Sequence, residues 1–306
     1  MNRFAYRKAQ TVEEAVALMS QEEGARVIAG ATDVLVRWRQ GVWKPRYVLN
    51  IKDIPGLDEI RYRPDTGLSL GALVKVRALE LDPLVRAHYP ALTQAATAFA
   101  GVQIRNLATV GGNVCNASPA GDTLPALVAY DAECRLVGRD GERVLPLREF
   151  FQGPGHTALR PAELLVELRL PPPPPRTGAL YIKHSPRHSM DIATVGVASI
   201  VSLAERQGVC QQVRIALGAV APTVIRAEAA EAVLLGHEVT AERITQAAQA
   251  AAAMVRPIDD IRGTAAHRRA MVIPLVRRTL HVAVQMAHGQ HFSFETQRGL
   301  AVEAIF

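Results

Sequence analysis

The chain has 306 residues, 49% of them apolar, which is enough to fill more than one core, and a formal net charge of +6 with a pI near 9.5. Its cations are scattered with no run of five, aromatic residues make up only 5%, and no nucleic-acid motif is present, so the excess charge reads as a docking surface for acidic partner subunits, not as a nucleic-acid face. The opening Met1-Asn2-Arg3-Phe4-Ala5-Tyr6 lacks the apolar core of a secretory leader and no later stretch is long enough for a membrane span, so a cytoplasmic protein is expected. Cys115, Cys134 and Cys210 are odd in number and never in C-x-x-C spacing, which argues against disulfides and against a metal site in this chain.

In chain order, Thr11-Val12-Glu13-Glu14 is a capping-box pattern that predicts a helix with Val12, Ala15, Val16 and Met19 on its apolar side. Arg26 to Ala29 is a short strand delivering Gly30 to a loop, and Thr32 or Asp33 can cap a helix through Trp38 that Gly41 ends. No G-x-G-x-x-G and no regular strand-helix alternation follow, so a Rossmann arrangement is disfavoured. Tyr47 to Ile51 reads as a strand, and Glu59 to Tyr62 pairs with Leu68 to Gly71 across Pro64-Asp65-Thr66-Gly67. A helix is expected from Ala91 through Ala100. Thr123 to Tyr130 is short and apolar after Asp122, and Glu133 to Val137 with Arg143 to Leu145 flank an Asp-Gly hairpin turn. Glu163 to Leu170 supplies another strand.

Pro171 to Pro175 form a stiff connector without amide donors, and a domain boundary is expected there. Beyond it Ala179–His184, Ile192–Leu203 and Val209–Gly218 predict a three-stranded antiparallel sheet, its last two strands joined at Glu205-Arg206-Gln207-Gly208. Helices are expected at Ile225–Leu235, Ala241–Met254 and Thr264–Ala287. The organisation is then 1–175 as one domain in two lobes (1–55 and 56–175), 176–290 as a sheet-and-helix domain, and 291–306 as a tail.

The chemistry concentrates in two glycine loops. Ala108 to Asp122 packs Gly111 and Gly112, small hydroxyl residues, two asparagines and an aspartate between apolar segments, and cannot be an ordinary strand or helix. With Val27-Ile28-Ala29-Gly30-Ala31-Thr32-Asp33 upstream, backbone amides of Ala29 to Asp33 and Val110 to Val114 can grip a phosphorylated ligand from two sides, helped by the Thr32 and Thr109 hydroxyls. Each loop alone reads equally as a tight turn. Asp122 can cap the helix that follows, Phe99 and Leu165 can be core residues, and Lys183, one of five lysines, is either a solvated strand residue or an inward charge that needs a partner. His184, His188 and Asp191 read as solvent-exposed, and Asp259-Asp260 as a helix cap between helices.

Ala29-Gly30-Ala31-Thr32-Asp33, Thr109-Val110-Gly111-Gly112-Asn113 and Asn116-Ala117-Ser118-Pro119-Ala120-Gly121-Asp122 together resemble the pyrophosphate loops of the FAD-binding medium subunit of the molybdenum hydroxylases, the xanthine dehydrogenase and carbon monoxide dehydrogenase family. The likeness extends to Pro161-Ala162-Glu163-Leu164-Leu165, Tyr181-Ile182-Lys183 and Arg262-Gly263-Thr264. It implies an α+β fold: a two-lobed FAD-binding domain of the PCMH (vanillyl-alcohol oxidase-like) type, then a C-terminal domain of three antiparallel strands and helices. It also implies that Ile28, Ala29, Gly30, Ala31, Thr32, Asp33, Val34 and Leu35 line the dinucleotide, together with Thr109, Val110, Gly111, Gly112, Asn113, Val114 and Asn116. Phe99 and Gly101 border the cofactor, Asp122 accepts from ribose hydroxyls, Leu165 meets the flavin or adenine, and Lys183 reaches toward the isoalloxazine. Relatives often carry glycine where this chain has Ala31, but alanine tolerates the αR and β conformations.

The resemblance further implies FAD in this chain, with no catalytic side chain of its own. Molybdopterin is expected on a large partner subunit, which oxidises an aromatic or N-heterocyclic substrate, and two [2Fe-2S] clusters on a small partner subunit, in a dimer of heterotrimers. Electrons pass from the clusters to FAD and on to an external acceptor. A free-standing FAD-dependent oxidase of the wider fold family is the alternative.

Overall fold

The structure is a computed structural model describing residues 4–22, 24–187, 190–204 and 208–292. The chain forms two compact units: the first holds the residues up to Asp82, Phe99–Ser118 and Asp131–Pro172, and the second holds Pro83–Ala98, Pro119–Tyr130 and the described residues from Pro173 onward. Two helical stretches inside the first unit's sequence therefore belong to the second. Among the described residues no helix is long and apolar enough to cross a membrane.

In the first unit, Ala5–Lys8, Tyr47–Asn50 and Arg26–Ile28 form a parallel sheet with Tyr47–Asn50 in the middle. Its crossover is the helix Val12–Gln21, whose Thr11 hydroxyl accepts from the Glu14 amide while the Glu14 carboxylate accepts from the Gln10 amide. An antiparallel sheet runs in the order Ile60–Arg63, Gly67–Gly71, Leu164–Leu170, Glu133–Gly138, Gly141–Pro146, and contains both hairpins that the turn residues predict. Gly67 has φ +86°, and any side chain there would collide with the Leu170 carbonyl.

In the second unit, Thr177–His184, Val195–Leu203, Cys210–Gly218 and Ile225–Arg226 form an antiparallel sheet of four strands, not three. Ile225, expected to open a helix, instead adds a short edge strand, and the helix begins at Glu228 because the Ile225 and Arg226 backbone is taken by the neighbouring strand first. The predicted connection at Glu205-Arg206-Gln207 lies outside the described residues.

Val195, Val197, Val201 and Leu203 present one strand face to the helix Ala265–Ala287, against which the helix Ala241–Met254 packs in turn, and each such buried side chain contributes about 1.5–3 kcal/mol. Ser199 on the same face is satisfied by Thr279, their hydroxyls 2.7 Å apart. A Cβ at Gly178 would collide with the Ala283 carbonyl, so the helix backbone rests directly on the strand there. The helix Thr123–Ala129 covers the two central strands, where a Cβ at Gly218 would lie 2.8 Å from the Pro125 ring. The C-terminal long helix is capped as expected: the Thr264 hydroxyl accepts from the His267 amide and Asp259 accepts from the Ala265 amide.

Candidate functional site

The first glycine loop begins where the strand Arg26–Ile28 leaves the parallel sheet. A Cβ on Gly30 would collide with the Leu107 carbonyl and sit 2.9 Å from Ala108 Cα, so only glycine lets the chain pass against that backbone. Ala31 then adopts φ +61°, the left-handed region, rather than the αR or β conformation expected of it. An alanine held there costs about 1–2 kcal/mol, and the position fits the glycine that relatives often carry. Among the described residues none of the amides of Gly30, Ala31, Thr32, Asp33 and Val34 donates to a protein acceptor. Successive amides in such a turn form a concave set of donors suited to an anion. Asp33 precedes the helix Val34–Arg39 but makes no side-chain capping bond.

The second stretch corrects its reading as a loop that can be neither strand nor helix: Val110–Asn116 is a helix, in which Gly111 lets the backbone lie against Ala72. Thr109 caps the helix Val110–Asn116, its hydroxyl accepting from the Gly112 amide at 3.0 Å. The Val110 amide donates to the Val74 carbonyl, Gly111 to Ala72 and Asn113 to Thr109. The expectation that these amides meet a phosphate is therefore corrected: those of Val110 and Gly111 fasten the helix to the segment 72–74, and those of Gly112 and Asn113 bond to the cap residue Thr109. The two glycines also divide their roles. A Cβ on Gly111 would lie 2.6 Å from the Ala72 carbonyl oxygen, whereas one on Gly112 would meet only the Thr109 hydroxyl at 2.8 Å.

Between these loops lies a cavity of about 390 Å³, wholly within the first unit. Of the residues picked out in the sequence, Ala29, Gly30, Ala31, Thr32, Asp33, Val34, Phe99, Thr109, Gly111, Gly112, Asn113, Asn116 and Leu165 line it. Ile28, Leu35, Gly101, Val110 and Val114 do not. Val110 and Val114 face the core at 0% exposure, Leu35 points to solvent, and Gly101 precedes the short helix Val102–Arg105. The Phe99–Gly101 turn is pinned by Arg105, whose guanidinium donates to the Phe99 and Ala100 carbonyls and pairs with buried Glu80.

Sequence reasoning missed Arg26, Arg37 and Trp43 in the same wall. Both guanidiniums lie over the indole, at 5.0 and 4.9 Å from its centroid, and Arg37 donates to Asn116 Oδ1 at 3.0 Å. The available signal was spacing: Arg37 follows Asp33 by one helical turn and so leaves the helix on the same side. Glu163 also lines the cavity. Burial pushes its carboxyl up, but hydrogen bonds from the Arg143 guanidinium and the Arg160 amide outweigh that and hold it below the usual range.

Asp122 and Lys183 belong to the second unit and pair there. Lys183 Nζ donates to Asp122 Oδ2 at 2.9 Å and to the Ala98 carbonyl at 3.1 Å, and the Tyr181 hydroxyl donates to Asp122 Oδ1 at 3.3 Å. Asp122 is thus no helix cap: the helix Thr123–Ala129 starts without a side-chain bond because the carboxylate turns to the lysine instead. Each of its oxygens accepts one hydrogen bond within the protein. Burial pushes the Asp122 carboxyl up to about 6, with Lys183 and Tyr181 acting against the rise. His184, expected in solvent, is half-buried, its Nε2 3.3 Å from that of His267. Asp191 binds Arg187, and His188 lies outside the described residues.

A loop of unpaired amide donors, a cavity and two guanidiniums fit the diphosphate of a dinucleotide. The family described as "FAD binding domain in molybdopterin dehydrogenase" matches residues 2–173, and that described as "CO dehydrogenase flavoprotein C-terminal domain" matches 180–283. The putative xanthine dehydrogenase FAD-binding subunit XdhB of Escherichia coli is 31% identical over 94% of this chain and 98% of its own length. The nicotine 6-hydroxylase medium subunit of Paenarthrobacter nicotinovorans is 30% identical over 90% and 95%. Among solved structures, carbon monoxide dehydrogenase from Hydrogenophaga pseudoflava matches with a TM-score of 0.88 and 37% identity, covering 92% of this chain and 97% of that one. With family matches over residues 2–173 and 180–283, and the loop, cavity and charge that a flavin dinucleotide needs, the chain belongs to the family of FAD-binding medium subunits of the molybdenum hydroxylases.

Proposed function

We propose that this chain is the electron-discharging subunit of a heterotrimeric molybdenum hydroxylase, working in the cytoplasm as a dimer of heterotrimers. In this reading a large molybdopterin subunit oxidises the substrate, a small subunit with two [2Fe-2S] clusters relays the electrons, and FAD held here passes them to an external acceptor. FAD supplies the ability to accept electrons singly and release them as a pair. The substrate class we favour is aromatic or N-heterocyclic, supported by relatives named for xanthine and nicotine.

The observation that carries the reading is the run of five unpaired amides from Gly30 to Val34, residues that line the cavity, in a chain matched to this family over both domains. Those amides hold the diphosphate, Gly112 leaves room beside it, and Phe99 and Leu165 supply apolar walls that exclude water. Lys183 and Asp122, in the second unit, enter as cofactor residues on the family resemblance alone. No free-standing oxidase is proposed, since the relatives described above carry subunit names.

Co-expression with the two partner subunits tests the assignment. Substrate added anaerobically should bleach the flavin band in the assembled complex and leave it unchanged in the isolated, FAD-loaded chain. Substrate-dependent bleaching by the isolated chain would refute it.

A further inference from the structure

His184 closes the strand Thr177–His184, and His267 stands in the first turn of the helix Ala265–Ala287. Both belong to the second unit and neither lines the cavity. Their Nε2 atoms are 3.3 Å apart and their ring centroids 5.5 Å apart, so the imidazoles meet edge to edge through those nitrogens. In the metal-free pair one Nε2–H donates to the other Nε2. The charged groups that act on His184 are His267 and Arg278, with no carboxylate among them.

One residue, Thr194, fixes the backbone on both sides of the pair. Its amide holds the His184 carbonyl at 2.9 Å and its hydroxyl holds the same carbonyl at 3.0 Å. The Thr194 carbonyl in turn accepts from Arg268, the neighbour of His267, at 3.2 Å. Arg268 is buried and also donates to the Ala219 carbonyl at 2.9 Å and to Asp260 Oδ1 at 2.7 Å, while the Thr264 hydroxyl takes the His267 amide. The two ring-bearing backbones are therefore held in place without any ion, and a ligand that bridges the rings loses little free energy to ordering them.

Zinc takes imidazole nitrogens at about 2.0–2.1 Å in a tetrahedral arrangement, which sets two such nitrogens about 3.3–3.4 Å apart, whereas the right angles of a square-planar or octahedral ion bring them to about 2.8–3.0 Å. The 3.3 Å of this pair is the tetrahedral spacing. Burial first, then His267 and Arg278, push His184 below the usual histidine pKa, so its ring is neutral and able to ligate at neutral pH. Among the described residues no third His, Cys, Asp or Glu completes a metal-binding group, and His267 is exposed, so water fills the remaining positions. We propose that His184 and His267 form a zinc-binding pair that straps the end of the strand to the start of the helix. The ion enters between the two Nε2 atoms, and the proton that stood there moves to Nδ1 of its own ring. A site of two imidazoles and water exchanges its ion, and it stabilises the second unit as zinc rises.

The test strips the full-length protein with a chelator and titrates it with zinc chloride, following calorimetric heat and the melting temperature. Wild type should bind zinc and melt higher as zinc is added. His184→Gln and His267→Gln should each weaken zinc by at least the roughly tenfold to hundredfold that losing a mere supporting partner of a metal ligand costs, and should lose the zinc-dependent rise in melting temperature. His267 is exposed, so His267→Gln is the variant least open to misfolding, and its melting temperature in chelator checks this. Cobalt in place of zinc should give the intense visible bands of a tetrahedral ion in wild type and lose them in either variant. No zinc binding by wild type, equal binding by wild type and both variants, or a wild-type cobalt complex without those bands would overturn the proposal.

Discussion

Lys183 and Asp122 lie 61 residues apart in the chain and 2.9 Å apart in the fold, each with only 9% of its side chain exposed. The pair is therefore neutral as a whole, and removing either member changes the local charge in opposite senses. If the flavin ring lies near it, Lys183→Met should lower the two-electron potential, by about 30 mV for each 1.4 kcal/mol of lost stabilisation. Asp122→Asn should raise it, and the double substitution should return it close to wild type. Spectroelectrochemical titration of the four proteins at equal FAD occupancy decides this. Unchanged potentials in both single variants would make the pair purely structural.

The same aspartate gives a pH prediction. Its folded pKa of about 6 is above the ordinary value of 3.8, so its contribution to stability is present below pH 3.8 and lost as pH rises through 6. The difference, about 2 units, corresponds to about 3 kcal/mol. Urea unfolding at pH 4.5 and pH 7.5 should show wild type losing stability over that interval relative to Asp122→Asn. Identical pH dependence in the two proteins would contradict the burial of this carboxyl.

Gly111 and Gly112 should separate folding from binding. Gly111→Ala forces a methyl group against the Ala72 backbone and should cost about 1–3 kcal/mol, the range for overpacking. Gly112→Val sets its Cβ against the Thr109 hydroxyl at the cavity wall and should lower flavin content more than melting temperature. Thermal melts beside the flavin-to-protein ratio distinguish the two, and equal behaviour of both variants would refute the division of roles.

What could be read in the sequence was what depends on neighbours in the chain. Thr11 and Glu14 form their capping box because both partners are local, and the Asp-Gly hairpin closes for the same reason. Lys183 was recognisable as an inward charge in want of a partner, but nothing local says that the partner is Asp122 rather than solvent. Arg37 and Asn116 were opaque for a related reason: their contact spans 79 residues and exists only once two segments distant in sequence have met. Ala31 was misjudged because a side chain's preference does not reveal that the loop geometry overrides it. The amides of Val110 to Val114 read as ligand donors in the sequence because the segment 72–74, which takes the bonds of Val110 and Gly111, is not visible there as a neighbour.

Titration of the apoprotein with FAD tests the central claim most directly. One equivalent of FAD should bind per chain in wild type. Occupancy should fall steeply in Gly112→Val, at a position that lines the cavity, in a protein whose far-ultraviolet circular dichroism is unchanged. Absence of saturable FAD binding in folded wild type, or full occupancy in folded Gly112→Val, would contradict the account.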